Sequence, residues 1–232
     1  MPIRNMSRNK KALSPYTIRS IEFTMKLEPI IELSNGNLLA FEVLSQSKDI
    51  DVNNDLFFKC LTTDELLQVF QRQLEMYQKL NEQDAKYFSS VFINVPVDFV
   101  SDMELIMELY PFHCLFKINL EVECSPSTFL VRDSLRSCTK LLSAMGIRIW
   151  LDDIKVSEIS AAKDLISQRV IYGVKIDKIS FWDSYYKKLN LTNIINGLSD
   201  RIILEGVEDI SHLNYAKSQS IMYGQGYLWP TI

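Results

Sequence analysis

Short apolar runs that end in a carboxylate, an amide or a lysine recur along this chain. Leu38-Leu39-Ala40-Phe41 leads to Glu42, Val91-Phe92-Ile93 to Asn94, and Phe116-Lys117-Ile118-Asn119-Leu120 to Glu121. Ile147-Arg148-Ile149-Trp150-Leu151 leads to Asp152 and Asp153, Tyr172-Gly173-Val174 to Lys175, and Ile202-Ile203-Leu204 to Glu205. Continuous apolar stretches of this length predict strands buried on both faces. Polar groups at the C-terminal ends of such strands are what a (β/α) barrel gathers at one mouth.

The intervening segments predict helices. Leu66, Leu67, Phe70, Leu74, Tyr77 and Leu80 recur at helical spacing after Thr62 and Glu65, which match a capping box. Ser101 or Asp102 caps a short helix ending near Tyr110-Pro111. A helix over residues 125–145 opens at Pro126 or Ser127 and stops at Gly146. Weaker patterns predict helices over residues 156–168 and 185–198, and a short one over residues 209–218. Before all of these, two alternating runs within residues 23–46 flank Ser34-Asn35-Gly36-Asn37, and Asn-Gly is a strong hairpin signal. An all-parallel barrel does not begin with a hairpin, so the first strand is expected to run against the others. The expectation is an α/β barrel in one domain, residues 21–232, after a basic, flexible segment, residues 1–20, that carries Arg4, Arg8, Lys10, Lys11 and Arg19 without an acid.

Composition narrows the chemistry. With 232 residues and 47% apolar content the chain can build one large core, and a net charge of −4 gives no field to draw nucleic acid. Cys60, Cys114, Cys124 and Cys138 lack C-x-x-C spacing, and only His113 and His212 accompany them, which argues for reduced thiols of a cytoplasmic protein and against zinc. Seven glycines and no G-x-G-x-x-G or Walker pattern argue against a glycine-rich phosphate loop. No apolar run approaches the ~20 residues that span a bilayer, and no signal-peptide form is present.

Glu42, Asn94, Glu121, Asp152 and Asp153 offer only oxygen ligands, which suit Mg²⁺ or Mn²⁺. Neighbouring carboxylates such as Asp152 and Asp153 can share two ions, and two such ions suit phosphodiester cleavage. Lys175 would then stand by the attacking water, and Glu205 would complete the second ion's shell. The competing reading takes each residue singly: an acid after a strand as a helix cap or solvated loop, Asn94 as a turn former before Val95-Pro96, and Lys175 as a surface partner of Asp177. Their joint occurrence in a consistent order favours the site.

These residues resemble the EAL domain family of cyclic di-GMP phosphodiesterases. Leu27-Glu28-Pro29-Ile30-Ile31 is similar to the family's Q-P-I strand, Glu42-Val43-Leu44 to E-A-L, Asn94-Val95-Pro96 to N-L-S, and Leu120-Glu121-Val122-Glu123 to L-E-I-T-E. Asp152-Asp153-Ile154-Lys155 resembles D-D-F-G, Lys175-Ile176-Asp177 matches K-I-D, Glu205-Gly206-Val207-Glu208 matches E-G-V-E, and Gly224-Gln225-Gly226-Tyr227-Leu228 matches the late Q-G-Y. The resemblance implies a modified TIM-type (β/α)8 barrel with one reversed strand. It implies that Glu42, Asn94, Glu121 and Asp152 hold a metal, that Asp153 serves a second, that Lys175 sits by the attacking water, and that Glu205 and Gln225 complete the site.

Departures from the pattern fall on substrate and loop. Gln46 stands where the family's arginine grips a substrate phosphate, and a neutral amide replaces a charged, bidentate fork. Cys124 stands where a second glutamate steadies the loop after D-D, and Glu123 alternates to the other face. Lys155 replaces a loop glycine, where it cannot readily take positive φ and should misplace Asp153. Glu28 replaces a glutamine, and the resemblance runs out at Trp229-Pro230-Thr231-Ile232, before the family's closing helix. These departures imply impaired catalysis with either lost cyclic di-GMP binding or altered specificity. The resemblance extends to short stand-alone, degenerate members related to YdiV, which act on the FlhD–FlhC flagellar master activator. It therefore implies a cytoplasmic anti-activator that represses motility genes through FlhD, needs no cofactor for that role, and contacts neither nucleic acid nor membrane. The alternative is a working Mg²⁺- or Mn²⁺-dependent phosphodiesterase that linearises cyclic di-GMP. Phe57-Phe58 and Tyr185-Tyr186 are candidate partner contacts, with core packing as the competing reading.

Overall fold

A long hairpin starts the barrel. The computed structural model describes residues 15–130 and 133–232, so Arg4, Arg8, Lys10 and Lys11 of the basic segment lie outside the described residues. A short strand β1 (Tyr16–Ile18) leads into β2 (Ile21–Glu32), which turns through Asn35-Gly36 into β3 (Asn37–Ser47). Gly36 takes φ 74°, the left-handed conformation the tight turn needs. The ladder between β2 and β3 is antiparallel and shifts by one residue between Ile30 and Ile31: Ile31 pairs with Leu38 but Ile30 with Ala40. Leu39 is the extra residue of a β-bulge.

Helices α1 (Asn54–Lys59) and α2 (Thr63–Gln83) follow, then β4 (Ser90–Asn94), α3 (Met103–Met107), β5 (Lys117–Glu123), α4 (Pro126–Leu130), α5 (Asp133–Ala144) and β6 (Arg148–Ile154). The chain continues through α6 (Ile159–Ser167), β7 (Gly173–Ile176), α7 (Lys178–Tyr186), α8 (Thr192–Ile195), β8 (Ile202–Leu204), α9 (Ile210–Ser218) and β9 (Tyr223–Gly224). Strands β3 to β9 are parallel neighbours in chain order, and β2 closes the ring antiparallel to both β3 and β9. The result is a closed eight-stranded barrel with one reversed strand and helices outside. Tyr16–Ile18 adds a ninth strand beside the upper part of β2. Ile232 exchanges both backbone hydrogen bonds with Leu27 of the same strand.

Local sequence explains most boundaries. Thr62 and Glu65 form the expected capping box at α2, and Phe70, Leu74, Tyr77 and Leu80 face the core. Asp102, Asp177 and Asp209 cap α3, α7 and α9 by accepting backbone N–H bonds. Two helix expectations need correction. The helix expected over residues 185–198 lies earlier, in α7, because Asp177 supplies the N-cap; Lys188 at φ 52° ends that segment, and α8 is a single turn. The span 125–145 holds two helices, α4 and α5, with Val131 and Arg132 outside the described residues. Glu42 also lies within β3 rather than at its end, because the hairpin carries both strands beyond the barrel proper.

Two apolar clusters result. The larger one fills the space between strands and helices. The smaller, Ile30, Ala40, Phe92, Trp150 and Ile203, plugs the barrel interior. Gly173 is required by that plug: a Cβ there would lie 2.4 Å from the Arg201 carbonyl oxygen and 2.5 Å from the Trp150 ring. Gly173→Ala is expected to cost about 1–3 kcal/mol, as overpacking does, read as a lower denaturation midpoint with an unchanged slope; an unchanged midpoint would mean that the plug is loosely packed.

Candidate functional site

Above the plug, every barrel strand delivers one polar side chain to the same layer. Glu28 comes from β2, Glu42 from β3, Asn94 from the end of β4, Glu121 from β5, Asp152 from β6 and Lys175 from β7. Glu205 and Gln225 follow β8 and β9 by one residue each. Register aligns Glu28 with Glu42 and Asn94 with Glu121. In a barrel this follows from strand alternation, since positions two apart on one strand share the inner face.

Lys175 is the centre of the layer. Its side chain is 1% exposed, and Nζ lies 2.7 Å from Glu205 Oε1, 2.9 Å from Glu121 Oε1, 3.1 Å from Glu42 Oε2 and 3.4 Å from Asp152 Oδ1. An ammonium has three N–H donors, so it cannot satisfy four carboxylates at once. Glu42 is the best served of the four. Asn94 Nδ2 donates to its Oε1 at 2.9 Å, and Gln225 Nε2 to its Oε2 at 2.5 Å. Gln225 Nε2 also reaches Glu28 Oε2 at 3.1 Å, and Lys26 Nζ holds Glu28 Oε1 at 2.6 Å.

The charges divide accordingly. Burial penalises the Glu42 carboxylate, but Lys175 and the amide hydrogen bonds outweigh it and hold Glu42 below the usual carboxylate range. Burial and the neighbouring Glu42 charge push Glu121 well up despite Lys175. Burial, only partly offset by Lys175, lifts Glu205 to about 7, with Asp152 and Glu42 adding to the rise. Burial also raises Asp152. For Lys175 burial opposes the charge, yet the surrounding acids prevail and raise it well above the usual lysine value.

These residues fit a hard divalent cation. The donors are carboxylate oxygens and the Asn94 amide, the set such ions prefer. Glu121 Oε2 and Gln225 Oε1 are buried with no hydrogen-bond partner among the described residues, an expensive state for polar atoms. One carboxylate oxygen each from Asp152, Asp153 and Glu205 lies within 4.8 Å of the others, which would suit a second ion. Thus Glu42, Glu121 and Asp152 converge on the Lys175 ammonium with Asn94 bonded to Glu42, and Asp153 joins Asp152 and Glu205 beside them.

The loop after Asp153 is held differently from the expectation. Lys155 is extended at φ −75°, and the left-handed residue is Asp153 itself, at φ 55°. The Lys155 N–H donates to Glu158 Oε2 at 3.1 Å, and the Val156 N–H donates to Ser180 Oγ at 2.9 Å. Lysine at position 155 is therefore not strained, and the strain falls on Asp153, a residue type that tolerates this region. Burial and the charges of Asp152 and Glu123 raise Asp153; Glu123 is in register with Asp152.

Gln46 lies apart from the layer. It is exposed on β3, opposite Thr24 and two inward positions above Glu42. Residue-by-residue reasoning missed Lys26 and the role of Glu28. The signal was the hairpin alternation, hidden by the bulge at Ile30 and Ile31. Phe57 and Phe58 pack against Phe23, whereas Tyr186 is exposed.

Fold and site together define a mixed-strand (β/α)8 barrel with a carboxylate–lysine cage at its mouth. The EAL domain model matches residues 12–230, and the chain belongs to the EAL domain family. Similar solved structures include the EAL enzyme Bd1971 in its cAMP- and cyclic-di-GMP-bound form, at 18% identity and TM-score 0.70, covering 89% of this chain and 61% of that one. This chain thus spans about three fifths of Bd1971. The PaMucR phosphodiesterase–c-di-GMP complex is similar at 19% identity and TM-score 0.70, covering 89% of this chain and 90% of that one. The EAL-like domain protein YdiV is similar at 16% identity and TM-score 0.69, covering 90% and 92%. Curated proteins give no significant match. Among the described residues no helix is long and apolar enough to cross a membrane.

Proposed function

We propose that this chain is a catalytically impaired EAL-domain regulator that acts by binding a protein partner. The observation that carries the reading is the state of the cations at the mouth. On the inner faces of β2 and β3 and in the cage, Lys175 is committed to four carboxylates and Lys26 to Glu28. Position 46, where the family places a phosphate-gripping arginine, is an exposed, neutral glutamine. Losing a charge-assisted contact costs on the order of 1.5–3 kcal/mol, and a diester anion would meet a mouth dominated by acids. The partner we propose is the FlhD subunit of FlhD–FlhC, with repression of flagellar genes as the outcome. This rests on the likeness to YdiV-type members, and exposed Tyr186 is a candidate contact.

A second reading, a working phosphodiesterase, is favoured by the completeness of the acidic layer. Glu42, Asn94, Glu121 and Asp152 would hold a divalent ion, which when bound would activate water and steady the leaving oxygen. Lys175 would orient that water, and Asp153 with Glu205 would serve a second ion.

One pair of measurements separates the readings: cyclic di-GMP hydrolysis with added Mg²⁺ or Mn²⁺, and size-exclusion chromatography with purified FlhD–FlhC. The expected result is no linear product together with a stable complex. Turnover without complex formation would overturn the proposal in favour of the enzyme.

A further inference from the structure

We propose that Glu28 is a built-in mask on Lys26, and that this pair sets how weakly the mouth holds a phosphodiester anion. The inference rests on the reading of impaired nucleotide binding and names a residue pair responsible for it.

Cross-strand partners in an antiparallel ladder point to the same face. Glu28 faces Glu42, Lys26 faces Leu44, and Thr24 faces Gln46. Glu42 lies in the cage, so Lys26 projects inward one step above it, between the cage and the rim residue Gln46. Lys26 is 31% exposed and Glu28 20%, so a ligand entering the mouth can reach both. Lys26 is thus a cation placed where an anion would pass on its way to the metal-type ligands.

That cation is already taken. Glu28 Oε1 holds Lys26 Nζ at 2.6 Å, while Glu28 Oε2 accepts from Gln225 Nε2, whose amide also bonds Glu42. Glu28 is therefore fixed from both ends, with its carboxylate rotor locked by Gln225 and the ammonium seated on its other oxygen. A phosphodiester could use Lys26 only by displacing this carboxylate and accepting its charge as a close neighbour. A glutamine at position 28 would keep an amide contact with Gln225 but would not hold the ammonium as an ion pair.

The test is calorimetric titration of cyclic di-GMP, with Ca²⁺ as the added cation, into the full chain and into Glu28→Gln, Lys26→Met and the double variant. Glu28→Gln is expected to bind about tenfold to a hundredfold tighter than the unmodified chain, the scale of one charge-assisted contact. Lys26→Met is expected to bind no better than the unmodified chain, and the double variant to lose the gain. Thermal melts of all four report whether they are folded. Equal binding by Glu28→Gln and the unmodified chain overturns the mask. So does a gain that survives in the double variant, because it would come from removing an acid and not from freeing Lys26. Tight binding by the unmodified chain would instead defeat the reading of impaired binding, while the comparison between variants would still report on the mask.

Discussion

Lys175→Met is expected to lower folding stability by about 3–5 kcal/mol at neutral pH without added divalent cation, the cost of removing one partner from a buried ion cluster. The side chain is among the most buried in the chain, and four carboxylates converge on its ammonium. Methionine fills most of the volume but supplies no charge, so the loss is electrostatic and not a cavity effect. Two rescues distinguish this cause from poor packing. Lowering the pH protonates the acids, and adding Mg²⁺ or Mn²⁺ supplies a replacement cation; either should restore most of the lost stability. Denaturant unfolding under the three conditions checks this. A loss that neither condition relieves would mean that Lys175 acts by shape.

The unmodified chain should itself become less stable as pH rises from about 5 to about 8 in chelator. Burial pushes Glu205 up to about 7 in the folded protein, from an ordinary value of 4.5, and Glu121 and Asp152 are shifted in the same direction. Between the two values the native state keeps a proton that the unfolded chain has released. The unfolded state therefore binds fewer protons, and stability falls with pH across that window. Below about pH 4.5 both states hold the proton and this contribution to the slope disappears. Each unit is worth about 1.4 kcal/mol, so Glu205 alone contributes a loss on the order of 3 kcal/mol. Saturating Mg²⁺ should flatten or reverse the trend, because a bound cation favours the ionised carboxylates. Stability that climbs with pH in chelator would contradict the crowded-acid account of the cage.

Much of this arrangement is legible in the sequence, for identifiable reasons. Glu42, Asn94, Glu121, Asp152, Lys175 and Glu205 each follow an apolar run, so their strands announce them. Thr62 with Glu65 and Asn35 with Gly36 are local signals that need no tertiary context. Gln225 is legible only through family resemblance, because β9 is two residues long and leaves no periodic signal. Glu28 was obscured by the bulge. Extending the Ile31–Leu38 pairing without interruption sets Leu27 opposite Glu42 and sends Glu28 outward; the extra residue, Leu39, reverses this. The misplaced helix near residue 185 reflects a cap concealed in a catalytic-type motif. Asp177 ends Lys175-Ile176-Asp177 and also starts α7 by binding the Ser180 N–H.

The closing ladder between β2 and β9 contains two residue pairs, Ile31 with Gly224 and Glu32 with Tyr223. Immediately beyond it, Gln225 reaches across the seam to Glu28 on β2 and Glu42 on β3. The ring is thus fastened at a two-pair join by a side chain that also belongs to the cage. Protonation or cation loading of Glu42 would therefore compete for the same amide that bridges this seam, which would link chemistry at the mouth to closure of the wall.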